Sequence, residues 1–216
     1  MPAPQPVSAG VSSRKSFMTA QAIPLFPLGT ILFPGGLLPL KLFEQRYLEM
    51  GKTCLRDELP FGVCGIKQGA EVGAPATPFE VGCIARIIHW DMPHLGILHI
   101  IAQGGERFRL LSYRHQSDGL LVGEVETIPN DESQIIAPEF AGCADVLKAI
   151  IEGVGEQHFP APFQFDDGAW VGNRLAEVLP LPLPLKQRLL ELQDASVRLE
   201  KINQILRDPG LISYPS

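Results

Sequence analysis

Apolar residues recur along this chain at two periods. A spacing of two dominates up to about residue 130, and spacings of three and four dominate after it. The ordered pattern opens at Ile23-Pro24-Leu25-Phe26-Pro27-Leu28, a short apolar strand that its prolines restrict to an edge or to irregular pairing. Gly29 and Pro34-Gly35-Gly36 supply turns before a second strand, Leu37 to Leu42. Phe43 to Arg56 reads as a helix, with Phe43, Tyr47, Met50 and Cys54 on one stripe. Phe61 to Ile66 is a further strand, and the polar stretch Lys67 to Pro78 is a loop. Then come the runs Val81 to Trp90, Leu95 to Gln103, Glu106 to His115 and Leu120 to Ile128. Met92-Pro93-His94 joins the first two. Gly104-Gly105 reads as a two-residue hairpin turn, because glycine takes positive φ at little cost, and Ser117-Asp118-Gly119 makes the last turn. Consecutive strands with short turns imply an antiparallel meander that closes into a barrel or curled sheet.

The remainder reads as helices. Pro138 to Gly153 is the first, followed by a connector rich in aromatics and proline that ends at Phe165. Asp166 or Asp167 can cap a helix running to about Leu179, since a carboxylate accepts the unpaired N–H groups of a first turn. Pro180, Pro182 and Pro184 interrupt the pattern, and Pro184 suits the first position of a helix reaching Leu192. Asp194 caps the last helix, whose stripe is Ala195, Leu199, Ile202 and Leu206. The fold class is therefore α+β. A β domain with one early helix spans 20–130 and a bundle of about four helices spans 131–210, with flexible tails over 1–19 and 211–216.

Composition narrows the function classes. The 216 residues are 45% hydrophobic and 19% charged, enough apolar material to bury a core. Of the net charge of −6, residues 131–216 carry all −6, while 1–20 (+2) and 21–130 (−2) cancel. No basic footprint for nucleic acid exists, so nucleic acid is not an expected partner. The N-terminus lacks an apolar signal core, and no apolar run reaches the ~18–20 residues of a membrane span. A cytoplasmic location is expected, with Met18 a possible alternative start to Met1. The four cysteines, Cys54, Cys64, Cys83 and Cys143, form no C-x-x-C pair and read as reduced, buried thiols.

Local chemistry is sparse. Gly51-Lys52-Thr53 has the tail of a phosphate-binding loop, but Arg46 stands where the first glycine belongs and the context is helical. His89, His94 and His99 recur every five residues and could converge as metal ligands across a hairpin, or be ordinary sheet histidines. No serine lies in G-x-S-x-G, and no nucleophile has an evident activating partner. Arg107, Arg109 and Arg114, interleaved with Phe108 and Tyr113, resemble a stacking platform only weakly. The connector phenylalanines Phe159, Phe163 and Phe165 either pack between domains or form an apolar patch for extended polypeptide.

These residues carry a resemblance. Ile23 to Leu28, Leu32-Phe33-Pro34-Gly35, Leu38-Pro39-Leu40 and Phe43-Glu44-Gln45-Arg46-Tyr47 resemble the opening of the N-terminal, substrate-binding domain of the ATP-dependent Lon protease. Val81 to Ile87, then Gln103-Gly104 with Glu106 to Leu110, then Asn173 to Ala176, Leu179-Pro180-Leu181, Lys186-Gln187 and Leu189 to Glu191 follow in the family's order. The resemblance covers about 22–207 and implies a six-stranded, PUA-like pseudo-barrel followed by a helical bundle. Where the family often has a charged D-G-R turn, this chain has Leu95-Gly96-Ile97. The chain ends at Ser216, without the family's phosphate loop or Ser-Lys dyad, so the resemblance implies a free-standing, non-enzymatic recognition module without a cofactor. Similar domains serve recognition in cereblon and in some RING-finger proteins. Its expected partners are unfolded or damaged polypeptide, or a protease or chaperone to which it acts as adaptor. The candidate contact residues are Phe33, Phe159, Phe163 and Phe165. Alternatives are a metal or small-molecule protein using the His89/His94/His99 region, and RNA binding, which some PUA-like barrels perform.

Overall fold

The computed structural model describes residues 20–71 and 76–208; the tails at 1–19 and 211–216 and the alternative start at Met18 lie outside the described residues. The strands are β1 (Gln21–Leu28), β2 (Leu37–Leu42), β3 (Phe61–Gln68), β4 (Thr77–His94), β5 (Ile97–His115) and β6 (Leu121–Ile128), with helix α1 (Gln45–Asp57) between β2 and β3. They form one sheet in the order β2-β5-β4-β3-β1-β6, and a further β5–β6 pairing closes it. All pairings are antiparallel except β1 with β3. Closure covers much of the strand edge that would otherwise invite association. This is the PUA-like, β-rich architecture followed by helices that the resemblance implies.

Closure depends on β5. Its 19 residues pair with β4 along one edge. On the other edge β2 takes Leu98–Gln103, and β6 takes Arg107–His115. The hairpin turn expected at Gly104-Gly105 is therefore absent, and the strand runs straight through it. Neither glycine has positive φ. Gly104 is needed for proximity instead: a Cβ there would lie 2.3 Å from the Phe33 carbonyl oxygen. The loop at 33–36 lies against it, with Gly35 N–H donating to Gly104 O and Gly104 N–H donating to Gly36 O, each at 2.9 Å. The Met92-Pro93-His94 connector also moves. β4 continues to His94, and the turn falls at Leu95-Gly96, where Gly96 supplies a φ of +87°.

In α1, Tyr47, Met50 and Cys54 are buried as the stripe requires, but Phe43 precedes the helix and is exposed. Gly51 lets the helix sit close on the barrel, since a Cβ would meet Leu42 and Leu98 at 2.8 and 3.1 Å. A packing role thus accounts for the glycine of Gly51-Lys52-Thr53.

After β6 come α2 (Ala141–Val154), α3 (Gly168–Val178), α4 (Leu183–Glu191) and α5 (Ala195–Arg207). Asp167 caps α3 by accepting the Ala169 N–H at 2.8 Å, and Asp194 caps α5 by accepting the Ser196 N–H at 2.8 Å. Pro184 occupies the second position of α4 rather than the first, still within the turn whose N–H groups have no helical partner. A single apolar cluster joins helices to barrel: Phe33, Val81 and Ile128 pack with Leu147, Val171 and Leu190.

Two polar clusters cross the same junction. Asp131 sits between Arg107 of β5 and Arg198 of α5, with 4%, 2% and 1% of their side chains exposed. Arg107 Nη2 is 2.7 Å from Asp131 Oδ1, and Arg198 Nη1 donates to Oδ2. The guanidiniums also cover the end of α4, which no backbone N–H caps. Arg107 donates to the carbonyls of Leu190 (3.1 Å) and Leu192, and Arg198 to those of Leu189 (2.9 Å) and Leu192. Cations at a helix C-terminus satisfy its orphan carbonyls and complement its dipole.

The second cluster holds the loop at 33–36. Glu177 of α3 accepts the Phe33 N–H at 3.1 Å, and Arg174 Nη2 donates to the Pro34 carbonyl at 2.7 Å. Arg174 Nε lies 3.1 Å from Glu177 Oε2. Gly36 makes room, since a Cβ there would stand 1.8 Å from Glu177 Oε1. Burial raises the Glu177 carboxyl to about 7, against the opposing pull of Arg174, the Phe33 N–H and Lys186.

Removing Asp131 leaves two buried cations uncompensated. Asp131→Ala is expected to lower unfolding stability by ~3–5 kcal/mol in denaturant titration. Glu177 gives a pH signature. Its folded value exceeds the ordinary 4.5, so the folded state holds the extra proton between about 4.5 and 7. Stability should fall as pH rises through that window and level off above it. With 18% of the side chain meeting solvent, the effect stays below the full shift. Wild type minus Glu177→Gln should show a decline on the order of 1–3 kcal/mol between the two ends of that window.

Candidate polypeptide-binding surfaces

β4 and β5 run on past the start of β3 as an arm, in which β5 remains paired with β2 as far as Leu98. β3 stops pairing with β4 at Phe61↔Ala85, so from Arg86 onward β4 has no strand on that edge among the described residues. The arm continues through Trp90↔Ile100, Asp91↔His99 and His94↔Ile97 to the Leu95-Gly96 turn. It exposes large apolar side chains: Ile88 at 53%, Trp90 at 56%, Met92 at 40% and Leu95 at 102%. Trp90 is the register partner of Ile100, which is buried, so it prolongs a core-facing side of the sheet past the end of the core. The pairing between Ile87 and His89 shifts by one residue, and Ile88 falls at that bulge. Folded proteins rarely display such apolar groups together without a use for them.

The arm was missed at the sequence level, yet two signals mark it. Ile88, Trp90 and Met92 are bulky apolar residues spaced by two along one strand. Leu95 also occupies a turn position where a polar residue is the usual choice.

The sequence candidates separate. Phe33 is fully buried at the barrel–bundle junction, and Phe159 is buried in the same cluster, so neither presents a surface. Phe163 and Phe165 are half-buried and form a small aromatic group with Trp170, at centroid distances of 5.7, 6.2 and 5.5 Å. Lys148 Nζ lies 5.3 Å from the Phe165 centroid. These rings pack against one another and against the apolar cluster at the barrel–bundle junction.

The histidines do not assemble. Register places His89 opposite Ile101, His99 opposite Asp91 and His94 opposite Ile97. Among the described residues no group of three or more His, Cys, Asp or Glu is placed to hold a metal ion. The basic platform loses Arg107, whose guanidinium is committed to Asp131. The cysteines are buried and free of disulfides, and burial raises Cys54 to about 11 and Cys64 to about 12, which keeps both as unreactive thiols. Among the described residues, no helix is long and apolar enough to cross a membrane.

With this geometry in view, comparison with known proteins is decisive about kinship. The profile of the ATP-dependent protease La (LON) substrate-binding domain matches residues 22–208. The chain belongs to that family. A Lon N-terminal domain protein from Xanthomonas campestris is 35% identical in sequence, with a TM-score of 0.71 over 87% of this chain and 98% of that one. The N-terminal domain of a Mycobacterium avium complex Lon protease, 17% identical, shares the fold with a TM-score of 0.60 over 87% and 99% of the two chains. Among full-length relatives, the Lon protease of Anaeromyxobacter dehalogenans is 25% identical over 193 residues, 85% of this chain but 23% of its own length. The chain thus spans about a quarter of the curated relatives it matches.

The two aromatic sites should respond differently to substitution. Phe159→Ser is expected to destabilise the fold by ~3–5 kcal/mol in thermal or denaturant unfolding, as large-to-small core changes do. Phe163→Ser should cost less than half as much in the same assay, because its ring is only half-buried.

Proposed function

We propose that this chain is a non-catalytic polypeptide-recognition module, and that its contact surface is the β4–β5 arm. The observation that carries the reading is the coincidence of exposed Ile88, Trp90, Met92 and Leu95 with a β4 edge that, from Arg86 onward, has no strand neighbour among the described residues. An extended segment can pair its backbone with such an edge while its apolar side chains bury against the exposed ones. Backbone pairing is indifferent to sequence, and apolar burial at roughly 25 cal/mol per Å2 rewards any segment rich in hydrophobic residues. Both suit a receptor for unfolded or damaged chains, which have backbone and core residues on display. Membership of the LON substrate-binding family supports this reading. The same surface would serve an adaptor that passes its cargo to a protease partner.

The test is binding to a permanently unfolded reporter, such as a reduced and alkylated small protein. Trp90→Ser with Met92→Ser should weaken binding at least ten-fold while leaving unfolding stability within ~0.5 kcal/mol of wild type, as surface changes do. Unchanged affinity in the double variant would remove the arm from the proposal.

A further inference from the structure

A second opening lies against α1. It is a cleft of about 400 Å3 bounded by the start of β1, the helix and the β5–β6 turn. That volume lies within the ~300–1,000 Å3 range of ligand clefts. Ile23, Met50, Leu59 and Leu120 form much of its apolar wall.

Two features of the cleft ask for the same kind of occupant. The first is a strand edge. β1 pairs with β6 over Gln21–Leu25, but its parallel ladder to β3 begins only at Leu25↔Gly62. Gln21, Ala22 and Ile23 therefore have no strand on that edge among the described residues. The second is Arg46, which lines the cleft and is 9% exposed. Its Nη1 donates to Gly119 O at 3.2 Å and its Nη2 to Glu44 at 2.8 Å, while Nε is buried away from the cleft and has no partner among the described residues. Glu44 already balances its charge, and Lys52 lies 2.8 Å from Glu49 at the rim. With Arg46 already paired and the carboxylates of Glu49 and Asp118 in the lining, the cleft calls for apolar bulk rather than an anion. An extended segment that pairs through its backbone and carries an apolar side chain is that combination.

The geometry points to the β1–α1 cleft as a second peptide subsite, in which an extended segment pairs with Gln21–Ile23 and buries one apolar side chain against Met50 and Leu120. The inference rests on the polypeptide-binding reading above and adds a site to it. With two separated contacts, a long unfolded chain is held more tightly than a short one, because the second contact forms at a high effective concentration.

The test uses the full chain, isotope-labelled for NMR, and a ten-residue peptide of alternating Val and Thr flanked by lysines. Amide shifts at Ala22, Ile23 and Thr53 are expected on titration. N-methylation of alternate peptide amides should weaken those shifts at least ten-fold, because it removes backbone pairing but keeps the side chains. Thr53→Trp, which fills the cleft from α1, should do the same, with the N-methyl peptide as the independent check if that variant folds poorly. Trp90→Ser should leave the cleft shifts in place. Shifts confined to the β4–β5 arm and lost only in Trp90→Ser would overturn the cleft and leave the arm standing. No shift anywhere in wild type would overturn both. A concentration-dependent dimer that the peptide disrupts would make a second copy the occupant and overturn the inference as well.

Discussion

The arrangement of barrel against bundle depends on one carboxylate between two guanidiniums. Asp131 stands just after β6, Arg107 lies within β5 and Arg198 lies within α5, so the cluster ties three distant stretches of chain to one point. Charges this deeply buried persist only when paired and hydrogen-bonded, and here every guanidinium nitrogen except Arg107 Nε has a partner among the described residues. Much of that bonding comes from the carbonyls of Leu189, Leu190 and Leu192 at the end of α4. The helix end needs donors and the guanidiniums need acceptors, so each requirement is met by the other. The apolar cluster around Phe33, Val81 and Leu190 then fills the space this alignment defines.

The candidate recognition surfaces arise from unequal strand lengths. β3 is eight residues long, whereas β4 has 18 and β5 has 19. Among the described residues, the neighbouring edges of β1 and β4 lack a strand where β3 has not yet begun, and β2 has no strand on the side away from β5. The apolar side chains of the arm lie beside one of these edges. Polypeptide binding is thus proposed where the topology is locally incomplete rather than where side-chain chemistry is unusual.

Much of the fold was legible because it depends on local periodicity and on residues with special backbone chemistry. Asp166 or Asp167, and Asp194, announced two helix starts, since a capping carboxylate works within one turn, and the structure selects Asp167 for the first. Gly104 was misread for the opposite reason. A glycine needed for positive φ and a glycine needed for close approach look alike in sequence, and only the loop carrying Phe33 distinguishes them. The aromatic candidates erred similarly. Phe159 was conspicuous as a phenylalanine in a connector and Phe33 as part of a motif, but segments at a junction between layers can be as buried as strands.

Sequence alone determined the α+β class, the order of strands before helices, the caps, and the family to which the motifs point. All of these depend on spacing and residue type over short stretches of chain. Only the tertiary structure decided that β5 is one strand, that Arg107 is a buried partner of Asp131 rather than a surface cation, and that Trp90 and Met92 lie past the end of the core. These outcomes depend on which distant segment comes to lie against a residue. Periodicity says which side of an element is apolar, but whether that side is covered depends on where its neighbour stops.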